Sequence, residues 1–294
     1  MKLSEAVQGI DGKLVRDAEF EALNFCTASP NYKFLSFIEK DKFVDRMNEN
    51  VSCVICTPEM QNQLPVMIEG VFLSINPKYD FYSIHNNLST LIKKKDTCID
   101  DSAVISNRAI IADKNVIIGK NVVIEANVVI NENVTVEDDV IIHSNSVIGG
   151  RSFDYAKSRA GKMVGWIDAG SVLIRTGVEI CSSVHIAQAC LSEDITLLDE
   201  DCKIDSFVHL GHGVHVGKRA LIAAGAIIGG NSVIGDDSWV GINATVSNRI
   251  IVGKNSKVSI GSVVTKNVDD NATVTGNFAI DHHRFIDNLK KSID

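Results

Sequence analysis

Residues 203–241 read KIDSFVHLGHGVHVGKRALIAAGAIIGGNSVIGDDSWVG, and every sixth residue of this stretch is a large aliphatic one. The same phase runs from Ile174 to Val264 with Ser192 as its exception, and an earlier block repeats it from Ile118 to Ile148. A helical period of 3.6 does not produce this pattern, and strand alternation alone does not single out every third inward residue. The sequence is therefore a repeat protein built from hexapeptides. The series in the quoted stretch is Ile204, Leu210, Val216, Ile222, Ile228, Ile234 and Val240.

The repeat predicts a parallel β-helix in which three short strands, one for each hexapeptide, form one coil of about 18 residues. The large aliphatic residues stack inside the coil. A second series of smaller or β-branched residues, from Val208 to Val268, follows four positions later and lets the chain turn each corner. Glycine, asparagine and aspartate supply the corner conformations. Each coil pairs with its neighbours, so the predicted domain is a solenoid.

Composition separates this solenoid from the N-terminal part of the chain. The protein has 294 residues and 6 % aromatics, yet all four prolines and ten of the 17 aromatic residues precede residue 99. Proline removes ladder donors, and rings do not fit a narrow coil. We expect a small α/β domain at 1–98, the β-helix domain at 99–276 and a short C-terminal helical tail at 277–294.

Charge, hydropathy and cysteine content limit the possible functions. The net charge of −8 argues against a nucleic-acid partner, whose phosphates attract basic surfaces. No apolar run approaches the length of a membrane span, and the N-terminus lacks a signal-peptide profile, so a cytoplasmic location is expected. The seven cysteines form no zinc pattern, because the pair Cys53 and Cys56 has no second C-x-x-C. We expect reduced thiols that pack as small hydrophobes.

One insertion interrupts the repeat between Ile148 and Ile174. The stretch 149–167 carries Phe153, Tyr155 and Trp166, although the rest of the solenoid is poor in aromatics. Long loops that leave a regular scaffold often serve function. The insertion is therefore predicted either to shape a ligand cleft, with Phe153 and Tyr155 as substrate-binding residues, or to form an oligomer contact.

Three histidines, His209, His212 and His215, recur at every third position. One hexapeptide makes one side of the coil, so His209 and His215 point outward from different sides and cannot converge on one ion within a chain. His212 falls at a corner. The next coil is bare there, with alanine and glycine at 223–226 and glycine at 229–230. These small residues either leave room for a thin substrate or merely satisfy the corners.

The stretch 204–230 resembles the active-site coils of the UDP-3-O-acylglucosamine N-acyltransferase family of lipid A synthesis, which are hexapeptide-repeat left-handed β-helices. The N-terminal segments LSFIEKDKFVDRM (35–47), VSCVIC (51–56), GVFLSI (70–75) and NPKYDFY (76–82) follow the order of that family's uridine-nucleotide domain. The resemblance implies a left-handed coil, a homotrimer, and N-acylation of a nucleotide-linked amino sugar.

The same resemblance implies roles for five residues. His212 matches the general base, Asp205 the carboxylate that polarises it, and Gly230 the glycine whose N–H supports the oxyanion. Phe37 and Phe43 match two aromatics that sandwich uracil. The extended chain between Asp205 and His212 spans roughly 20 Å at about 3.3 Å per residue. We therefore expect any contact between them to form between subunits of a trimer.

Other positions depart from the lipid A pattern. Residues 187–189 read Ala-Gln-Ala in place of Asp-Arg-Gly, Arg249 replaces a second histidine, and Lys40 replaces a uracil-contacting asparagine. The closing run 260–279, IGSVVTKNVDDNATVTGNFA, resembles coenzyme-A-dependent sugar acetyltransferases. That resemblance implies that Lys266 meets the phosphates of the donor, while the thioester lies along the coils of Ala224 and Gly230.

Together these features predict transfer of a short acyl group, acetyl first, from acyl-CoA to the amine of a UDP- or dTDP-linked amino sugar, without a metal. Surface polysaccharide or O-antigen synthesis is the expected pathway. Three alternatives stay open: long-chain transfer from acyl carrier protein in lipid A synthesis, a non-catalytic solenoid scaffold, and a metalloenzyme like γ-class carbonic anhydrase. The last would draw ligands from two subunits, using His185 with His209 or His215.

Overall fold

A computed structural model describes residues 1–276, 279 and 281–293, and the chain forms two compact units. The N-terminal unit comprises Met1–Thr97, Arg151–Val172 and Gln188–Ile195, and the solenoid unit comprises the remainder. The division at residues 97 and 98 lies beside the expected boundary. The two later segments differ from the expectation, because the repeat pattern assigns them to the β-helix domain.

The N-terminal unit is built on a five-stranded sheet of order β1-β5-β4-β3-β2, in which β1 runs antiparallel to β5 and the other pairs are parallel. Every residue of β4 is buried, as expected for a strand covered on both faces. The small α/β domain expected from the sequence is confirmed. Its strands are β1 (Lys13–Arg16), β2 (Ala22–Leu23), β3 (Phe34–Ile38), β4 (Val51–Cys56) and β5 (Gly70–Leu73); its helices are α1 (Leu3–Ala6) and α2 (Pro77–Ser89), with 3-10 turns at Asp41–Arg46 and Pro58–Gln63.

The insertion completes the aromatic core of this unit. It forms a hairpin of β15 (Tyr155–Lys157) and β16 (Met163–Gly165), followed by Trp166, which is 2 % exposed. The indole stacks on His85 of α2, with ring centroids 4.4 Å apart, and on Phe25 at 6.1 Å. Trp166 is thus a core residue, because the N-terminal sheet and α2 leave an aromatic pocket that the insertion fills.

Polar contacts hold the same hairpin in place. Arg159 Nη2 donates to the carboxylate of Asp80, which is 1 % exposed, at 2.9 Å and to the Asp11 carbonyl at 2.7 Å. The Tyr82 hydroxyl donates to Asp154 Oδ2 at 2.6 Å, and Lys78 Nζ lies 3.3 Å from the other oxygen. The hairpin is therefore an integral part of the N-terminal unit.

The solenoid unit consists of three parallel sheets, here called faces 1, 2 and 3, and the chain visits them in turn. Face 1 contains β6 (Cys98–Ile99), β9 (Val116–Ile118), β12 (Val134–Val136), β17 (Ser171–Ile174), β20 (Ile195–Leu198), β23 (His215–Val216), β26 (Val233–Ile234) and β29 (Ile251–Val252). Face 2 contains β7 (Val104–Ile105), β10 (Val123–Ile124), β13 (Ile141–Ile142), β18 (Glu179–Ile180), β21 (Lys203–Ile204), β24 (Leu221–Ile222), β27 (Trp239–Val240), β30 (Lys257–Val258) and β32 (Thr273–Val274). Face 3 contains β8 (Ile110–Ile111), β11 (Val129–Ile130), β14 (Val147–Gly150), β19 (His185–Ala187), β22 (His209–Leu210), β25 (Ile227–Ile228), β28 (Thr245–Val246) and β31 (Val263–Val264).

Strand register confirms the predicted coil. Ile204 pairs with Ile222 and Ile222 with Val240, a spacing of three hexapeptides, and these inward side chains are at most 1 % exposed. Corner residues recur once in every hexapeptide in the left-handed backbone region, for example Asn231 with a φ of 58°. Together the parallel strands, the hexapeptide spacing and the corners form the left-handed β-helix expected from the sequence.

Two coils are longer than the regular coil of three hexapeptides. Ile142 pairs with Ile180 across the insertion with the aromatic residues. Ile180 pairs with Ile204 in place of Leu198, the residue that regular spacing would select. This second excursion, Gln188–Ile195, adds the length of one hexapeptide, so it leaves the phase of the repeat unchanged. For that reason the hexapeptide pattern continues across the excursion, and Ser192 is the one position at which the pattern breaks.

The C-terminal helix α3 spans His282–Ile293, and the expected tail at 277–294 lies partly outside the described residues. Within the described part of the chain, no helix has the length and apolarity that a membrane crossing requires. Five of the seven cysteines are buried, and burial raises the pKa of the Cys53 and Cys56 thiols to about 11.

His143 on face 2 is expected to make the stability of the solenoid depend on pH. Its Nδ1 lies 2.9 Å from Glu125 Oε1 and its Nε2 3.1 Å from Glu179 Oε1, while Lys203 Nζ lies 4.0 Å from Glu179. The hydrogen bond to Glu125, reinforced by Glu179, raises the pKa of His143. Its contribution is complete below the unfolded-state pKa, about 6.5, and is lost as the pH rises through the higher folded-state pKa.

Thermal melting of the wild type and of His143→Gln therefore should differ more at pH 6 than at pH 9. Lys218→Gln is the control, because its ion pair with Glu200, 2.9 Å long, does not titrate in this range. Equal differences at the two pH values would show that His143 does not act through its charge.

Candidate active site

His212 lies at the corner between faces 3 and 1, just after the buried Leu210 of β22. The register of the coils places Gly230, Asn248 and Lys266 at the same corner in the next three coils, each just after a buried aliphatic residue of face 3. These four residues, spaced by one coil each in the sequence, therefore form a column along one edge of the solenoid.

The imidazole of His212 packs directly against Gly230. A Cβ atom at Gly230 would lie 2.6 Å from His212 Nε2, and a Cβ atom at Gly211 would lie 2.6 Å from the Gly230 nitrogen. Carbon atoms do not approach other atoms this closely, so Gly211 faces backbone that cannot give way, while a side chain at Gly230 would have to displace the His212 ring. The position of Gly230 is bare because the His212 ring occupies the space that a side chain would take.

Gly230 also presents a free donor. Its carbonyl accepts the Arg249 N–H at 3.0 Å, and the following residue, Asn231, donates its N–H to the His212 carbonyl at 2.8 Å. Among the hydrogen bonds of the described residues, none uses the Gly230 N–H. A base and an unused backbone donor therefore lie side by side at this corner.

One residue that the repeat pattern did not single out also contacts the corner. The Thr196 hydroxyl accepts the Gly213 N–H at 2.8 Å and donates to the Ala187 carbonyl at 2.9 Å. Thr196 is 0 % exposed, and the same inward position of face 1 holds Val116 and Val134 in earlier coils. Ser232 occupies the same position two coils later, so a polar residue type alone did not distinguish Thr196.

Asp205 lies at the opposite edge of face 3, before β22 rather than after it. Its Oδ1 accepts the Ser206 N–H at 2.7 Å, and its Oδ2 accepts the Ala224 N–H at 3.1 Å. The structure thus brings Asp205 together with Ala224, and His212 together with Gly230. The expected contact between Asp205 and His212 of different subunits stays a prediction.

The two phenylalanines expected to sandwich a base are not brought together. Phe37 packs among core aromatics, with its ring centroid 5.0 Å from that of Phe81 and 6.4 Å from that of Phe25. Phe43 packs against a separate apolar cluster that contains Val54. Phe37 lies in β3 and Phe43 in the following 3-10 turn, Asp41–Arg46, and the two rings pack against different apolar clusters. The sandwich of a base between these two rings stays a prediction of the resemblance.

Phe153 and Tyr155 form an accessible aromatic pair. Phe153 is 92 % exposed, and its ring meets that of Tyr155 edge-on, with centroids 5.3 Å apart. The Arg151 guanidinium lies 6.0 Å from the Tyr155 ring, and Lys78 Nζ lies 3.0 Å from the Tyr155 carbonyl. Two cations and an open ring face thus occur together on the N-terminal unit.

A second histidine contact occurs on face 3. His185 and His209 stack with ring centroids 5.1 Å apart and Nδ1 atoms 3.2 Å apart, and burial lowers the pKa of both. His215 lies on face 1, so it does not join them. Across the residues that the structure describes, no group of three or more histidine, cysteine or carboxylate side chains could hold a metal ion.

The N-terminal unit also contains an open cleft of about 550 Å³, lined by Asp17, Glu19, Glu21, Lys33 and Glu69 among others. Four carboxylates against one lysine repel phosphate groups. This cleft is therefore a poor site for a nucleotide, despite its size.

Family models match only the solenoid. The model of the bacterial transferase hexapeptide, described as six repeats, matches residues 115–150 and 196–230. The model of the hexapeptide repeat of succinyl-transferase matches residues 231–266. Both models describe repeats of transferases. No curated protein matches the sequence.

Several solved structures are similar to this chain, and one of them has a TM-score above 0.5. UDP-N-acetylglucosamine acyltransferase from Campylobacter jejuni is 18 % identical, with a TM-score of 0.52 over 67 % of this chain and 81 % of that chain. The Francisella novicida enzyme of the same name is 27 % identical, with a TM-score of 0.42 over 60 % of this chain and 66 % of that one, just under two thirds of its length. UDP-N-acetylglucosamine O-acyltransferase from Moraxella catarrhalis is 23 % identical, with a TM-score of 0.47 over 65 % and 76 %.

Replacing Gly230 by alanine should displace the His212 ring, because the added Cβ would lie 2.6 Å from Nε2. A crystal structure of the variant, or the histidine resonances in its NMR spectrum, would show the shift. Gly150→Ala is the matched control, since its Cβ would lie 2.2 Å from His185 Nε2 and should displace the His185 ring while leaving that of His212 in place. An unmoved His212 ring in the Gly230 variant would contradict the packing described here.

Proposed function

We propose that this protein is an N-acyltransferase that moves a short acyl group, acetyl first, from acyl-CoA to the amine of a nucleotide-linked amino sugar. The observation that carries the proposal is the His212 imidazole packed against Gly230, whose N–H is unused. Acyl transfer needs these two groups together: a base with a pKa near neutrality and a preorganised donor for the oxyanion.

The reaction follows from their positions. His212 removes a proton from the acceptor amine as its nitrogen attacks the thioester carbonyl, and the Gly230 N–H donates to the oxygen that becomes negative. The C–S bond then breaks, an amide remains on the sugar, and the proton on His212 passes to the departing thiolate. No covalent enzyme intermediate is required, so no nucleophilic serine or cysteine is needed.

The donor fits the column that rises from His212. Three coil steps of about 4.8 Å separate His212 from Lys266, so their backbones lie about 14 Å apart along the axis. An extended pantetheine arm follows such a column past Gly230 and Asn248. Lys266, which is exposed, then meets the phosphates of coenzyme A. The choice of acyl-CoA over acyl carrier protein rests on the resemblance of the closing run 260–279 to coenzyme-A-dependent sugar acetyltransferases.

The acceptor's nucleotide is assigned to the N-terminal unit. An open aromatic face with nearby cations suits a pyrimidine nucleoside diphosphate, and Phe153 with Tyr155 and Arg151 offers these groups. Base stacking on an aromatic side chain contributes about 1–3 kcal/mol. The Campylobacter jejuni protein of similar fold bears the name of an enzyme acting on a UDP-linked sugar. A UDP- or dTDP-linked amino sugar is therefore the proposed acceptor.

A homotrimer and a cytoplasmic location complete the proposal. Within one chain, Asp205 and His212 flank opposite edges of face 3, so we expect the Asp205 carboxylate to reach the His212 of another copy. In the proposed homotrimer, Asp205 of one subunit contacts His212 of the next. Nucleotide sugars and acyl-CoA are substrates of cytoplasmic synthesis, as expected for surface polysaccharide or O-antigen sugars.

The activity is tested by offering UDP- and dTDP-linked amino sugars with acetyl-CoA and following the release of free thiol. His212→Gln should lower turnover by about two to four orders of magnitude, the usual contribution of general base catalysis. Its trimer and its nucleotide binding should be unchanged. Near-normal turnover of this variant would refute the assigned base, and turnover only with an acylated carrier protein would favour the long-chain alternative. A wild-type protein that consumes no acyl donor would favour a scaffold.

Nucleotide binding is tested separately by calorimetric titration with UDP and dTDP. Phe153→Ser should weaken binding about tenfold, because one stacking face is lost. Val66→Ser is the control, since Val66 is 100 % exposed on the same unit and is not proposed to bind a ligand. Unchanged affinity in the Phe153 variant, with a loss in Phe43→Ser, would move the base to the site implied by the resemblance.

A further inference from the structure

We propose that Thr196 is the positioning residue of His212: its buried hydroxyl fixes the peptide that joins His212 to Gly213. The inference rests on the proposed role of His212 as the base. Thr196 itself touches neither the ring nor any reacting atom, and it acts through the backbone of the corner.

Regular corners show how this peptide would otherwise be held. Asn231 donates its N–H to the carbonyl of His212 at 2.8 Å, and Arg249 donates to the carbonyl of Gly230 at 3.0 Å. In each case the acceptor is the carbonyl at the same corner of the preceding coil. The corner N–H is thus normally satisfied by the coil beneath it.

At the His212 corner this acceptor is missing from the coil. Regular spacing would make the Asp194 carbonyl the acceptor of the Gly213 N–H. Asp194 belongs to the excursion Gln188–Ile195, and its carbonyl accepts the Ser171 N–H at 3.0 Å instead. The Gly213 N–H donates instead to Thr196 Oγ1 at 2.8 Å. The threonine hydroxyl replaces the backbone acceptor that the excursion removed.

Both polar atoms of the His212–Gly213 peptide are therefore held, its N–H by Thr196 and its carbonyl oxygen by Asn231. Gly213 has a φ of +66°, in the left-handed region, so this peptide sets the direction of the turn. The orientation of that peptide determines where the His212 side chain leaves the corner. The ring reaches Gly230 only while the peptide keeps this orientation.

The test compares Thr196→Val, which keeps the shape and removes the hydroxyl, with Thr196→Ser, which keeps the hydroxyl. Ser146→Ala is the matched control. Ser146 is also 0 % exposed, donates to the Cys181 carbonyl at 2.9 Å and accepts the Val184 N–H at 3.2 Å, in a coil that does not contain His212. Should the valine variant not fold, Thr196→Cys supplies a weaker acceptor of similar size.

Two readouts are measured on the full-length protein. The first is the Cε1–H resonance of His212 and its pH titration, identified among the eight histidines by its absence from His212→Gln. The second is the split between kcat and KM. Thr196→Val should shift the resonance and its titration and lower kcat about 10- to 100-fold, the scale of a misplaced catalytic group, with KM within about threefold. Thr196→Ser should restore both readouts, and Ser146→Ala should lower only the melting temperature.

The proposal is overturned if Thr196→Val lowers the melting temperature as Ser146→Ala does but leaves the His212 resonance and titration unchanged. Thr196 would then be a structural residue alone. This comparison needs no turnover. A wild-type protein without acyl transfer would therefore count against the proposed function, while the resonance would still decide whether Thr196 positions His212.

Discussion

Backbone hydrogen bonding between successive coils is the constraint on which the solenoid depends. Strand N–H groups, and corner N–H groups such as that of Asn231, find a carbonyl one coil away only if the chain returns to the same place after three hexapeptides. Buried backbone groups without partners are costly, so any extra length must leave the coil and be satisfied elsewhere. The two extra segments do this by joining the N-terminal unit. The corner above the second excursion keeps its bond through the Thr196 hydroxyl.

Much of the fold could be predicted because the coil leaves a periodic trace in the sequence. Inward positions recur once in every hexapeptide, and a column such as His212 and Gly230 follows from their spacing of one coil. The excursion Gln188–Ile195 left no comparable trace, because its length equals one repeat. The core role of Trp166 was hidden as well, since its partners, His85 and Phe25, are distant in sequence.

The candidate site was predictable to the same extent. Residues of one corner column could be grouped from spacing alone, and the packing of His212 on Gly230 agrees with that grouping. Phe37 and Phe43 pack against different apolar clusters, and periodicity carries no information about which cluster a side chain joins. The exposure of the aromatic side chains in the insertion could not be predicted either, because nothing in its sequence distinguishes the buried Trp166 from the exposed Phe153.

The scarcity of large rings in the coils has a spectroscopic consequence. The chain has two tryptophans, one in each unit: Trp166, sealed among aromatic rings, and Trp239, half-buried on face 2 with Lys257 Nζ 4.4 Å from its ring centroid. A sealed indole fluoresces at shorter wavelength than one in contact with water. The short-wavelength and long-wavelength ends of the tryptophan emission band therefore report on different units. Thermal melting followed at both wavelengths shows whether the two units unfold independently or together.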